Sequence, residues 1–172
     1  MMGQLERVWK QARLSLGTKL RIYQACVVSI LLYGSECWTL LKKDSDLLQA
    51  FHMRSQRRIL NIRWFDHVTN AAVTARTGLD SILLTIERRR LSLFGHVRRM
   101  DPLAPAHKAL DCVVSIQSAG PPPLWRRPRG RPRVSWLKQC SNDMSLSPLE
   151  AWTLAADRVQ WRALRPFDGQ AY

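Results

Sequence analysis

Apolar positions recur at three- and four-residue intervals along most of the chain, the period of a helix, and no stretch sustains the alternation of a strand. The first such segment is predicted to start at Thr18, a residue type suited to an N-cap, and to run to about Leu41. Leu20, Tyr23, Val27, Ile30 and Leu31 share one face, with Ile22, Cys26 and Tyr33 on an adjacent one, so this helix is expected to be central and buried. A second helix is expected from Asp44 or Asp46 to about Ile62, striped by Leu48, Phe51, Ile59 and Ile62. Beside that stripe Arg54, Arg57 and Arg58 are helix neighbours. Asp66 is expected to cap a third, shorter helix ending at Gly78. A fourth runs from Asp80 or Ser81 to about Met100, with Ile82, Ile86, Leu93, Val97 and Met100 as its stripe. Arg88, Arg98 and Arg99 lie off that stripe, whereas Arg90 lies inside it and must snorkel, pair or mark a contact face.

From about Asp101 the texture changes. Five of the nine prolines lie between Pro121 and Pro132, and Ser115 to Arg133 is expected to be a linker or extended arm, neither regular helix nor central strand. Val134 to Cys140 reads as one short helix. Ser147-Pro148-Leu149-Glu150 is a strong helix start: Ser N-cap, Pro at the first helical position, Glu three residues after the cap. Leu149, Trp152, Ala156, Val159 and Ala163 form the expected buried stripe of that last helix. The fold class is therefore all-α: a helical region over 1–101, a Pro/Arg-rich arm over 102–133, and a C-terminal helical segment over 134–172.

Charge points to a partner. The 172 residues carry 27 Lys and Arg against 13 Asp and Glu, a formal +14, which selects a polyanion: nucleic acid first, an acidic membrane surface second. Most of the cations are arginine, which pairs bidentately with phosphate and stacks on bases. The longest apolar run, Ala25 to Tyr33 broken only by Ser29, falls short of the ~20 residues of a bilayer span. Met1 to Lys10 lacks the features of a signal peptide. The cysteines (Cys26, Cys37, Cys112, Cys140) are scattered, which suits a reducing compartment. These features predict an intracellular protein, nuclear or cytoplasmic, not secreted and not membrane-bound.

Bond-making chemistry finds no constellation. The acids are dispersed, several at helix starts where the macrodipole favours them, and the closest pair, Asp44 and Asp46, reads as capping. There is no Gly-rich phosphate loop and no nucleophile elbow. Cys37 with His52, or Cys112 with Cys140, are imaginable zinc partners but lack tightly spaced ligand pairs. No catalytic residue, metal or cofactor is expected.

The basic segments carry more. Between Cys112 and Asn142 stand six basic residues and no acid, centred on Arg126-Arg127-Pro128-Arg129-Gly130-Arg131-Pro132-Arg133. The Arg-Gly-Arg-Pro core resembles an AT-hook, whose extended backbone lies along an A·T-rich minor groove. The other readings of this arm are phosphate contact without sequence reading, and a solvated linker. Trp125, beside Arg126 and Arg127, either stacks on a base or packs the arm onto the body. The arginines on helices are ordinary solvated faces or phosphate contacts, and the two-to-one cation excess favours the second. The candidate nucleic-acid-binding residues are thus Arg54, Arg57, Arg58, Arg88, Arg98, Arg99, Trp125, Arg126, Arg127, Arg129, Arg131 and Arg133.

A longer series of phrases resembles one family. Leu16-Gly17-Thr18-Lys19-Leu20-Arg21-Ile22-Tyr23-Gln24-Ala25-Cys26-Val27, then Leu31-Leu32-Tyr33-Gly34-Ser35-Glu36-Cys37-Trp38, is similar to the region just after the polymerase core of LINE-type (non-LTR) retrotransposon reverse transcriptases. Later pieces keep the family's order: Phe51-His52 with Arg57-Arg58-Ile59-Leu60, Trp64 with Asp66, and Ala75-Arg76-Thr77-Gly78. Arg88-Arg89-Arg90 with Phe94-Gly95-His96-Val97-Arg98-Arg99-Met100 follow, then Gly130-Arg131-Pro132 with Trp136, and Ala156-Asp157-Arg158 with Trp161-Arg162. The resemblance implies a thumb-like helical region that grips template and primer, then a basic segment handling RNA, DNA or their hybrid. The family's palm carries paired metal-binding aspartates, and this chain has no Asp-Asp. What carries over is a binding surface and not the polymerase activity. The expected function is a catalytically inactive nucleic-acid-binding fragment of such an enzyme. The alternatives are an AT-hook-like reader of A·T-rich duplex and the non-functional product of a decayed transposable element.

Overall fold

The structure, a computed structural model, describes residues 2–120, 126, 129–130 and 134–164. Among them every regular element is a helix, in agreement with the all-α expectation. The chain divides into two compact units, one of Met1–Gly34 with Leu40–Ile86, the other of Ser35–Thr39 with Glu87–Tyr172. None of the described helices is long and apolar enough to cross a membrane.

Unit 1 is built from α1 (Glu6–Lys10), α2 (Leu16–Tyr23), α3 (Ser29–Leu31), α4 (Lys42–Ile59) and α5 (Asn70–Thr77). Its core gathers Trp9, Leu20, Tyr23, Val27, Ile59 and Leu79. The cap of α2 is Ser15, whose hydroxyl accepts the Thr18 N–H, three residues before the expected start. Between α2 and α3 lies one π-turn, Gln24–Val28, in which the Ser29 N–H donates to Gln24 O, five residues back. That turn admits one extra residue, so everything beyond it is rotated by about 100°. The predicted face Leu20, Tyr23, Val27 is buried as expected, but Leu32 continues it in place of Leu31, and Ile30 is 60% exposed. The helix also stops early. Gly34, at φ 69°, turns the chain, and Tyr33 is 85% exposed rather than packed.

Two further starts differ from expectation. α4 begins at Lys42, with Asp44 accepting the Leu41 N–H (3.4 Å), a capping role like the one expected of it. α5 is capped by Thr69, which accepts the Ala72 N–H at 3.3 Å, and not by Asp66; Gly78 ends it at φ 65° as expected. Within unit 1 His52 is buried between Tyr23 Oη (2.8 Å from Nδ1) and the Asp80 carbonyl (3.0 Å from Nε2). A carbonyl only accepts, so Nε2 carries the proton and Nδ1 accepts from the tyrosine. Burial holds the His52 pKa below its ordinary value, with the Asp80 carbonyl pulling it back up, and burial pushes the Tyr23 hydroxyl up to about 12. The unfolded chain therefore takes up a proton at this site that the folded chain refuses. The contribution of His52 to the stability of unit 1 is expected to be fully present above pH ~6.5 and to be lost progressively below that, until the folded-state value is passed. Urea unfolding at neutral and mildly acidic pH checks this, with His52→Gln flattening the residue's share of the difference.

α6 (Ile82–Arg98) contributes Ile82–Ile86 to unit 1 and its remainder to unit 2. Unit 2 adds α7 (Pro105–Ala119), α8 (Trp136–Met144), α9 (Pro148–Leu154) and α10 (Arg158–Leu164). Here Ser115–Ala119, read from sequence as non-helical, forms the last turn of α7; the helix ends only at Gly120, ahead of the first proline of the dense run. Ser147 and Glu150 make the expected reciprocal cap on α9 (3.3 and 2.9 Å). The single last helix is in fact two. Asp157 accepts the Val159 N–H at 2.7 Å and starts α10 anew; of the expected stripe Trp152 is buried, whereas Leu149, Ala156, Val159 and Ala163 are exposed, and Ala151, Ala155 and Trp161 are buried in their place.

Phe94 is the hub of this core, stacked on Trp161 (5.3 Å between ring centroids, 28°) and edge-on to Trp152 (6.1 Å). The Trp161 indole N–H donates to Leu91 O at 3.0 Å, and the ring packs against Gly95, where a Cβ would come within 2.3 Å of Nε1. Arg90, buried, resolves its predicted conflict by pairing with the half-buried Asp143 (2.8 Å), with Arg90 Nε left without a hydrogen bond. Burial pushes the Asp143 carboxyl above its ordinary value, and the Arg90 guanidinium opposes that rise.

Candidate nucleic-acid interface

Arg54, Arg57 and Arg58 ride the last turns of α4, where the negative end of the helix dipole favours cations. Past Ile59 the chain turns back sharply. The Leu60 N–H bonds to Gln56 O (3.0 Å), Asn61 takes the left-handed conformation (φ 56°), and the Ile62 N–H reaches Arg57 O (2.9 Å). This reversal, α1 and the start of α2 enclose an open groove of about 630 Å³. Lys10, Lys19, Arg54, Arg57 and Arg58 supply five cations to its lining, Glu6 the one carboxylate, and Trp9, Ile59, Ile62 and Trp64 its apolar walls.

These cations differ in how far they are engaged. Arg58 is bound to Glu6, Nε to Oε2 at 2.6 Å with Nη2 on the same oxygen, and Lys10 reaches the other carboxylate oxygen at 3.3 Å. Desolvation raises the Glu6 pKa, but the hydrogen bonds from Lys10 and Arg58 outweigh it and hold the carboxyl below its ordinary value. Lys19 Nζ donates to Trp9 O (2.8 Å) and Arg57 Nη2 to Val68 O (2.9 Å), which ties down the far end of the loop that follows α4. Arg54 is exposed, its Nε making a 3.4 Å contact with Ala50 O.

The three arginines predicted from α4 thus come together, joined by Lys10, Lys19 and Trp64, which charge and periodicity do not mark as binding residues, because three separate segments supply them. The α6 arginines stand differently. Arg98 Nε donates to Trp152 O (3.0 Å) with its guanidinium 4.7 Å from the Trp152 ring centroid, and Arg99 Nη1 donates to Ala155 O (2.7 Å). Both are anchored within unit 2, and Arg88 is half-buried. Arg126 and Arg129 are exposed, while Trp125, Arg127, Arg131 and Arg133 lie outside the described residues.

The cysteines and histidines imagined as zinc partners are placed apart in kind. Cys37 and Cys112 are exposed, Cys140 is buried with its thiol pushed up to about 12 by that burial, and His52 is bonded as described. Among the described residues no three His, Cys, Asp or Glu side chains gather closely enough to hold a metal ion.

The chain is 23% identical over 157 residues to a putative uncharacterized transposon-derived protein of Caenorhabditis elegans, an alignment covering 85% of this chain and 53% of that protein. The chain therefore spans about half the length of the curated relative it matches. No protein-family model matches it, and no solved structure does. The similarity supports a transposon-related origin.

Proposed function

We propose that this chain binds nucleic acid without processing it, gripping the phosphodiester backbone in the groove beside α4, and that it derives from the thumb-like region of a LINE-type reverse transcriptase. The observation that carries the binding reading is the convergence of five cations from three segments around a groove holding one carboxylate. Such a surface repels itself, and a bound polyanion relieves the repulsion while releasing condensed counterions. The ancestry rests on the ordered series of phrases from Leu16 to Arg162, and the similarity to a transposon-derived protein agrees with it.

Fluorescence anisotropy of a labelled oligonucleotide, titrated across salt, tests the binding. Log affinity should fall with log salt at a slope of about −3 or steeper for a single strand, given four or more phosphate contacts. Arg54→Glu with Lys10→Glu should weaken binding more than about ten-fold and flatten the slope by more than one unit. Glu6→Gln should strengthen it, because the groove then loses its internal competitor. No binding at low salt, a flat salt response, or indifference to the double charge reversal would sink this reading.

A further inference from the structure

Trp64 is 87% exposed at the groove's edge, an unusual place for a side chain whose burial is worth several kcal/mol. Nothing loose holds it there. Arg63 N–H donates to Asp66 Oδ2 (2.7 Å), Asp66 N–H returns a bond to Arg63 O (3.1 Å), and left-handed residues, Asn61 and His67, stand at either side of this turn. Phe65 lies edge-on to the indole (5.8 Å, 78°), and the Arg63 guanidinium lies 5.7 Å from the Phe65 ring centroid. The loop is pinned at both ends to α4, through Ile62 N–H on Arg57 O and Arg57 Nη2 on Val68 O. A flat aromatic face is thereby presented to solvent on a fixed mount, at the edge of a groove lined by cations.

Resting on the reading of the groove as a phosphodiester site, we propose that Trp64 is a stacking platform for one unpaired base, so that the groove takes single-stranded nucleic acid in preference to duplex. Every base has a π-face, but in a duplex interior each face is covered by the next pair; only a single strand or an end offers one to an indole. Charge favours a nucleic acid over an apolar partner. An apolar protein surface matches the indole but not the cations around it, whereas a strand supplies phosphates and bases at alternating positions along one chain. Trp64 and the cations then divide the work: Lys10, Arg54 and Arg57 hold the backbone, and the ring holds a base.

The test uses the full chain and titrates four probes at one low salt concentration: oligo(dT), a duplex of equal length, inorganic polyphosphate, and poly-L-glutamate. Wild type should bind oligo(dT) more tightly than duplex. Trp64→Ala should weaken oligo(dT) about ten-fold and leave polyphosphate and duplex nearly unchanged, while Trp64→Phe restores most of the loss. An exposed side chain is removed, so far-ultraviolet circular dichroism and the melting curve should not move. Unchanged oligo(dT) affinity in Trp64→Ala overturns the stacking, as does an equal loss toward polyphosphate, which would mean the ring only shapes the groove. An equal loss toward poly-L-glutamate overturns it in favour of an acidic polypeptide. If Arg54→Glu with Lys10→Glu still weakens oligo(dT) binding more than about ten-fold in the first case, the groove reading stands and the base reading alone falls.

Discussion

Gly95→Ala is expected to cost unit 2 about 3 kcal/mol or more, measured by urea or thermal unfolding, although it adds a single methyl group. Alanine ordinarily favours a helix over glycine by up to ~1 kcal/mol. At Gly95 that gain is overwhelmed, because the new Cβ falls 2.3 Å from Trp161 Nε1 and 2.5 Å from its Cδ1. The indole is fully buried, stacked on Phe94 and bonded to Leu91 O, so it has no room to retreat without giving up both contacts. The substitution thus acts at a distance as though it had been made at Trp161, whose own truncation should cost about 3–5 kcal/mol. Combining Gly95→Ala with Trp161→Ala should therefore cost far less than the sum of the two. Gly17→Ala is the control: it lies in the first turn of α2 with nothing within 4 Å of the added carbon, and should be neutral or slightly stabilising. A Gly95→Ala protein as stable as wild type would show that Trp161 is not seated on that glycine.

Asp143→Ala should be comparably severe, about 3–5 kcal/mol, since it strands the Arg90 guanidinium in the core with Nε already lacking a partner. The pair itself is no large asset. Burial raises the Asp143 pKa in spite of the arginine 2.8 Å away, so desolvation of the carboxylate outweighs the attraction. Replacing both residues by apolar ones of similar size, Arg90→Met with Asp143→Leu, should recover most of the stability lost in the single variant. Equal damage in the single and double variants would mean that the ion pair, and not the orphaned charge, is what unit 2 depends on.

How far the sequence foretold this architecture varies from element to element. Helical periodicity and cap chemistry located α4, α6, α8, the end of α5 and the start of α9 to within a few residues, because caps such as Ser147, Glu150 and Gly78 act through bonds only a few positions long. Facing failed in α6, where Leu91 and Phe94 are buried and the expected Leu93 and Val97 only half-buried, and elsewhere where one residue changed the phase. The π-turn at Gln24–Val28 handed the buried position from Leu31 to Leu32, and Asp157 restarted the last helix in a new rotation. Neither a five-residue hydrogen bond nor a mid-segment cap leaves a periodic trace. The groove was half legible: the α4 arginines are helix neighbours by spacing alone, whereas Lys10, Lys19 and Trp64 join them only through tertiary contact. Arg98 and Arg99 show the opposite error. By charge they resembled phosphate ligands, yet their donors reach backbone carbonyls at Trp152 and Ala155, more than fifty residues on.

Glu6 is a tenant on a leash. It belongs to the five-residue α1, and its grip on Arg58 is also a clasp between that short helix and α4. A phosphate that claims Arg58 must evict the carboxylate, and in doing so it unfastens the clasp, leaving Trp9 and the Lys19 bond to Trp9 O to keep α1 in place. On the proposed function, capture of a strand and loosening of the N-terminal helix are thus coupled through Arg58, and return of the carboxylate would hasten the strand's departure.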